Sequence, residues 1–105
     1  MITSGEGRLQ VHLDIQKIGP DFLFILGGGE QPHIGGVIVC TPNEDPKVIR
    51  LGSHYDYLVL EPLAVKACRK YKTTVVAVGG IHIDHARKDE IDMIIKNCEK
   101  LQDMI

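Results

Sequence analysis

The sequence predicts an α+β domain. It reads as a two-layer sandwich, a mostly antiparallel five-stranded sheet with two helices on one face, in the order β-β-β-β-α-β-α. Three observations carry this reading. Leu9, Val11, Leu13 and Ile15 alternate with Gln10, His12, Asp14 and Gln16, the period of a half-buried strand. Further apolar runs of strand length are bounded by glycine and proline turns. Ile91, Ile94, Ile95, Cys98, Leu101 and Ile105 recur at helical spacing. A run of strands followed by helices that must share one sheet is the α+β pattern.

In order, Arg8 to Ile18 is the first strand, and Gly19-Pro20 turns the chain into a second, more central strand, Phe22 to Leu26. Gly27-Gly28-Gly29-Glu30-Gln31-Pro32-His33 reads as a loop, with Pro32 setting the approach to a third strand, Ile34 to Thr41. Pro42 to Pro46 is a turn, and Val48 to Leu51 a short fourth strand. Gly52-Ser53-His54-Tyr55-Asp56 opens a helix that Ser53 caps and that runs to about Lys70. Pro62 lies deep enough to kink it; in the alternative reading Tyr55 to Leu60 is extended and the helix starts at Pro62. Thr73 to Val78 is the last strand, followed by Gly79-Gly80 and a helix from about Lys88 to Asp103. Asp89 and Glu90 suit the start of that helix, and Lys96 and Lys100 its end.

The 105 residues predict one domain over 1–105, with 1–7 as a flexible N-terminus. A net charge of −2, no Trp, two Phe and no basic stripe argue against nucleic acid as a partner. No apolar run approaches the length of a membrane span. Cys40, Cys68 and Cys98 are scattered and form no Cys-x-x-Cys pair, so they read as reduced core thiols of a cytoplasmic protein. Two helices cover only one sheet face, and the second strand has no polar alternation. A homodimer built on the sheet is therefore expected.

The connections bring the unusual residues together. The Gly27–His33 loop joins the end of strand two to the start of strand three. Strand four, returning antiparallel, ends beside it at Gly52-Ser53-His54. The last strand comes back to the same edge and ends in Gly79-Gly80-Ile81-His82-Ile83-Asp84-His85. Both helices start there as well. One reading is an anion site, served by glycine backbone and helix N-termini. A second is a metal site drawn from His33, His54, His82, Asp84 and His85. A third leaves these groups structural. His12 reads as an exposed strand residue, and no nucleophile motif stands in a recognisable context.

Gly27 to Val37 (GGGEQPHIGGV), Gly52 to Asp56 (GSHYD) and Gly79 to Asp84 (GGIHID), in this order and spacing, resemble the prenylated flavin chaperone (LpdD-like) domain, the type of the small D subunit of gallate decarboxylase. The resemblance runs from about Leu9 to Leu101. It implies a non-enzymatic accessory protein that binds prenylated FMN, or FMN, for a UbiD-type decarboxylase. It also implies a fold similar to small proteasome-assembly chaperones, which dimerise. The motif positions carried over are Gly28, Pro32, His33, Gly35, His54, Gly80, His82 and Asp84. Gly27, Gly29, Ser53 and Gly79 complete the expected cofactor-binding set. The alternatives are a small metal-dependent enzyme using the histidine cluster and a structural assembly partner without ligand. Two departures from the family pattern stand out: a very short segment between strands three and four, and Arg87 where a capping Ser or Thr is usual.

Overall fold

The computed structural model describes residues 1–105. Its strands are β1 (Ile2–Ser4), β2 (Val11–Ile18), β3 (Asp21–Gly29), β4 (Gly36–Cys40), β5 (Lys47–Arg50) and β6 (Val75–His82). Its helices are α1 (Tyr57–Tyr71) and α2 (Lys88–Asp103). The strands form one sheet in the order β1-β2-β3-β6-β4-β5. β3 and β6 are parallel, and every other neighbouring pair is antiparallel. β6 sits centrally because Val75, Val76, Ala77 and Val78 offer apolar surface to both sides, which an edge position would leave in water.

One face of the sheet carries the core. Val11, Leu13, Phe24, Leu26, Ile38, Val75 and Ala77 pack against Leu60, Leu63, Ala64 and Ala67 of α1 and against Ile94, Cys98 and Leu101 of α2. All of these lie at less than a tenth exposure. By alternation the opposite face carries two apolar rows, Leu23–Val76–Val39 and Ile25–Val78–Val37, matched by register across β3, β6 and β4. These six side chains are only partly buried.

The sheet has six strands where five are expected. The extra one lies in the segment expected to be flexible, since Ile2–Ser4 pairs with Val11–Leu13. Three residues followed by glycine carry no readable period, and their strand character comes from the neighbour they pair with. Gly7–Leu9 is a short 3-10 turn, so β2 begins at Val11 rather than Arg8. Gly27–Gly29, expected in a loop, extend β3, and Gly79-Gly80 extend β6; Gly27 pairs with Gly80 and Gly29 with His82. Glycine is a poor strand former by propensity, but here two glycine segments pair with each other and leave room for rings packed above them.

α1 begins at Tyr57, with Asp56 rather than Ser53 at its N-cap. Pro62 lies inside the helix, so Tyr57 to Leu60 is helical rather than extended. The carbonyl of Leu58, four residues earlier, loses its helical donor, and Leu58 lies on an exposed part of the helix where water can reach. α2 spans Lys88–Asp103 as its periodicity predicts. Only Ile94, Cys98 and Leu101 of its apolar stripe enter the core with Ile105; Ile91 and Ile95 stay about half exposed.

Candidate functional site

β3 and β6 run parallel and end together at Gly29 and His82, while β5 ends and α1 and α2 begin near the same edge. A cavity of about 470 Å³ opens there. Its apolar walls are Ile81 and Ile83 from the end of β6, Leu58 and Val59 from α1, and Ile91, Ile94 and Ile95 from α2. The two half-exposed isoleucines of α2 are thus cavity wall. His33, His54, His82, Ser53 and Asp56 form the polar rim. The rings of His33 and His54 meet edge-on with centroids 4.5 Å apart, and His82 lies 6.0 Å from His33.

The most constrained group is Asp56, at 9% exposure. One carboxylate oxygen, Oδ1, accepts the Ile81 backbone N–H at 2.9 Å. The other, Oδ2, lies 2.9 Å from His33 Nε2. Asp56 also starts α1, its carbonyl accepting from Val59 and Leu60. Such a buried carboxylate is stable only with its oxygens partnered.

The glycines explain why this pair fits. A Cβ at Gly35 would lie 1.9 Å from Asp56 Oδ2, and one at Gly80 would lie 2.3 Å from the His33 ring. Gly35 and Gly80 therefore clear space for the His–Asp pair. Gly79 has φ 127°, and a Cβ there would lie 1.8 Å from the Leu26 carbonyl oxygen, so only glycine suits it. The Gly79 and Gly80 carbonyls accept from Gly35 and His33. These residues serve the sheet and its packing. Gly27 sits beneath the His12 ring and Pro32. His12 is accordingly half-buried rather than exposed, its Nδ1 without a partner.

His82 and Asp84 form an exposed pair at 2.8 Å, and that hydrogen bond, with the charge behind it, holds Asp84 below the usual carboxylate range. His85 has a left-handed backbone (φ 53°), is exposed and does not line the cavity. The Asp56 side chain makes no cap hydrogen bond to α1, its carboxylate going to Ile81 and His33 instead, and at the start of α2 the Glu90 carboxylate accepts the Arg87 N–H at 3.1 Å. Arg87 itself bonds Asp89, which raises the Arg87 pKa and lowers that of Asp89.

Sequence reasoning left four residues out of the site: Asp56, Ile91, Ile95 and Arg8. Asp56 stands in the sequence only as the last residue of the helix-opening GSHYD motif. Ile91 and Ile95 stand in the sequence only as members of the helical apolar stripe. Arg8 bonds Glu90 at 2.7 Å, the Asp84 carbonyl at 3.0 Å and Glu30 at 3.4 Å, while Glu30 accepts the Asp84 N–H. This network fixes the loop from β6 to α2, and its members are up to 82 residues apart in the chain. One nitrogen or oxygen from each of His33, His54 and Asp56 lies within 4.8 Å of the others, close enough to share an ion.

Comparison with known proteins gives concordant results. The model of the prenylated flavin chaperone LpdD-like domain family matches residues 5–105. The chain is also 29% identical over 94 residues to Protein LpdD of Lactiplantibacillus plantarum, covering 85% of this chain and 69% of that protein.

Proposed function

Since the chain belongs to the prenylated flavin chaperone LpdD-like family, we propose that it is a non-enzymatic accessory protein that binds prenylated FMN, or FMN, and passes it to a UbiD-type decarboxylase in the cytoplasm. Family membership supports an accessory, flavin-related role. The observation that carries the finer reading is the make-up of the cavity. An apolar slot of about 470 Å³ with a few convergent polar groups suits a flat tricyclic ring whose prenyl addition is itself apolar. In this reading the isoleucine walls of β6 and α2 sandwich the ring, and His33 and His82 bond its polar edge.

The phosphate needs a different place from the one the sequence suggests. Asp89 and Glu90 put negative charge at the start of α2, which disfavours a phosphate there. The rim formed by Ser53 and His54 is more favourable. Arg50 donates to the carbonyls of both residues, at 3.1 and 2.7 Å, and brings positive charge to that loop. No helix is long and apolar enough to cross a membrane, in keeping with a soluble carrier.

The rows Leu23–Val76–Val39 and Ile25–Val78–Val37 support a homodimer that covers the open sheet face. Sedimentation of the wild type should give a dimer at micromolar concentration, and Val76→Lys a monomer. A monomeric wild type rejects this part of the reading.

The test of the main reading is titration of FMN and prenylated FMN, followed by flavin fluorescence. Wild-type protein should bind saturably. His82→Ala should weaken binding roughly tenfold, the worth of one hydrogen bond to a polar ligand edge. Absence of binding of either flavin at millimolar concentration overturns the reading.

A further inference from the structure

We propose that His33, His54 and Asp56 bind one divalent first-row transition ion, leaving a coordination position open toward the cavity. Three observations carry this. The donor atoms already lie within 4.8 Å of one another. Two nitrogens and one carboxylate oxygen form the donor set of zinc and non-haem iron sites that keep an open position. The 2.9 Å separation of His33 Nε2 and Asp56 Oδ2 is close to the spacing of adjacent ligands on one ion with bonds of about 2.1 Å.

The arrangement behind the ligands fits as well. Asp56 Oδ1 is held by the Ile81 N–H, which leaves Oδ2 as a single, oriented donor. Ligating carboxylates are characteristically fixed by such an outer hydrogen bond. Gly35 and Gly80 wall the His–Asp pair so closely that the carboxylate has little room to turn. His54 is the adjustable member. It is exposed, on the loop before α1, with its ring edge-on to His33. A small swing of its side chain brings its nitrogen to ligand distance, and the ion replaces the His33–Asp56 hydrogen bond. No bond to the protein is made or broken apart from coordination, and any proton on the ligating imidazole nitrogens is released. The site does not depend on the flavin reading, because its donors converge without a ligand.

The test is titration of Zn²⁺ and Co²⁺ into chelator-treated protein, read by calorimetry and by the visible absorption of Co²⁺. One ion per chain should bind with a dissociation constant at or below about 10 μM. His54→Ala removes an exposed side chain and leaves the fold intact, so it is the decisive variant. It and Asp56→Asn should each weaken binding at least about tenfold. His85→Ala should leave binding unchanged. Absence of one-to-one binding at about 100 μM ion overturns the proposal. So does binding that survives intact in His54→Ala, which would place the ion elsewhere, for example at the exposed His82–Asp84 pair.

Discussion

The sheet has a cavity at each end, and α1 reaches both. At its N-terminal end lies the histidine-rimmed slot of about 470 Å³. At its C-terminal end lies a larger hollow of about 610 Å³, between the Cys40–Pro46 segment and Cys68, Arg69 and Lys72. The larger one has less to offer chemically. Burial first, and then the neighbouring Cys68 thiol, push Cys40 up to about 11, so that it stays a neutral, poor nucleophile. Its walls combine the turn residues Thr41 to Pro46 with the end of α1, and no carboxylate–histidine pair is set among them. The smaller cavity joins apolar walls to a buried carboxylate with both oxygens engaged and to three histidines. Volume alone therefore does not mark the site; fixed polar groups set in apolar walls do.

The most severe way to break this contrast is Gly79→Ala. Its Cβ would collide with the Leu26 carbonyl oxygen, backbone that cannot yield, at a φ that alanine avoids. A loss of more than about 3 kcal/mol is expected in urea unfolding. At the other end Cys68→Ala removes only a small buried side chain and should cost about 1–2 kcal/mol. A reversed order would mean that the glycine edge is not the constrained one.

A substitution in the cavity walls sharpens the functional side of the comparison. Ile95→Lys removes apolar wall and should weaken flavin binding about tenfold or more. Arg69→Ala, in the larger cavity, should leave flavin affinity unchanged. Equal effects would dissolve the distinction between the two ends.

The thiols give a smaller, pH-dependent signature. Burial raises Cys98 to about 12 and Cys40 to about 11, from an ordinary value of 9.0. A raised folded value means that the stabilisation is complete below pH 9 and is lost as pH climbs toward 11 and 12. The urea midpoint should fall across that window, and less so in Cys98→Ala. A midpoint equally steep in the variant would remove the buried thiol as the cause.

The smallest expected effect is at the rim. Asp84 titrates below 3.8 because His82 bonds it. In His82→Ala its carboxyl should return toward 3.8, as followed by NMR. The pair's stabilisation is present above that pH and fades as pH falls through the lowered value. An unchanged Asp84 titration would mean that the pair is not formed in solution.

Much of this was legible in the chain. The alternation from Val11, the 3.6-residue stripe of α2 and the strand order at the glycine edge follow from local periods and short connections, which act over a few residues. Those same connections place His33, His54 and His82 at one edge. The N-terminal strand was not legible, because three residues have no period and Ile2–Ser4 becomes a strand only beside Val11–Leu13. The glycine segments misled for the opposite reason. Their local preference is for loops, but pairing Gly27 with Gly80 overrides it.

What the sequence alone determined is therefore the α+β class, the extent of α2 and the edge at which the motifs gather, since each depends on nearest-neighbour physics. What only the tertiary structure decided is which groups meet once they arrive. Asp56 pairs with His33 because Gly35 and Gly80 leave room for it and Ile81 turns its N–H toward it. Ile91 and Ile95 line a cavity with Ile81 and Ile83 because α2 packs chiefly against α1, β1 and β2 and leaves that part of its apolar stripe uncovered. The glycines make room for the His–Asp pair because the sheet has taken them into its strands. Contacts between residues 23 and 25 positions apart depend on the packing of whole elements, and no local period encodes them.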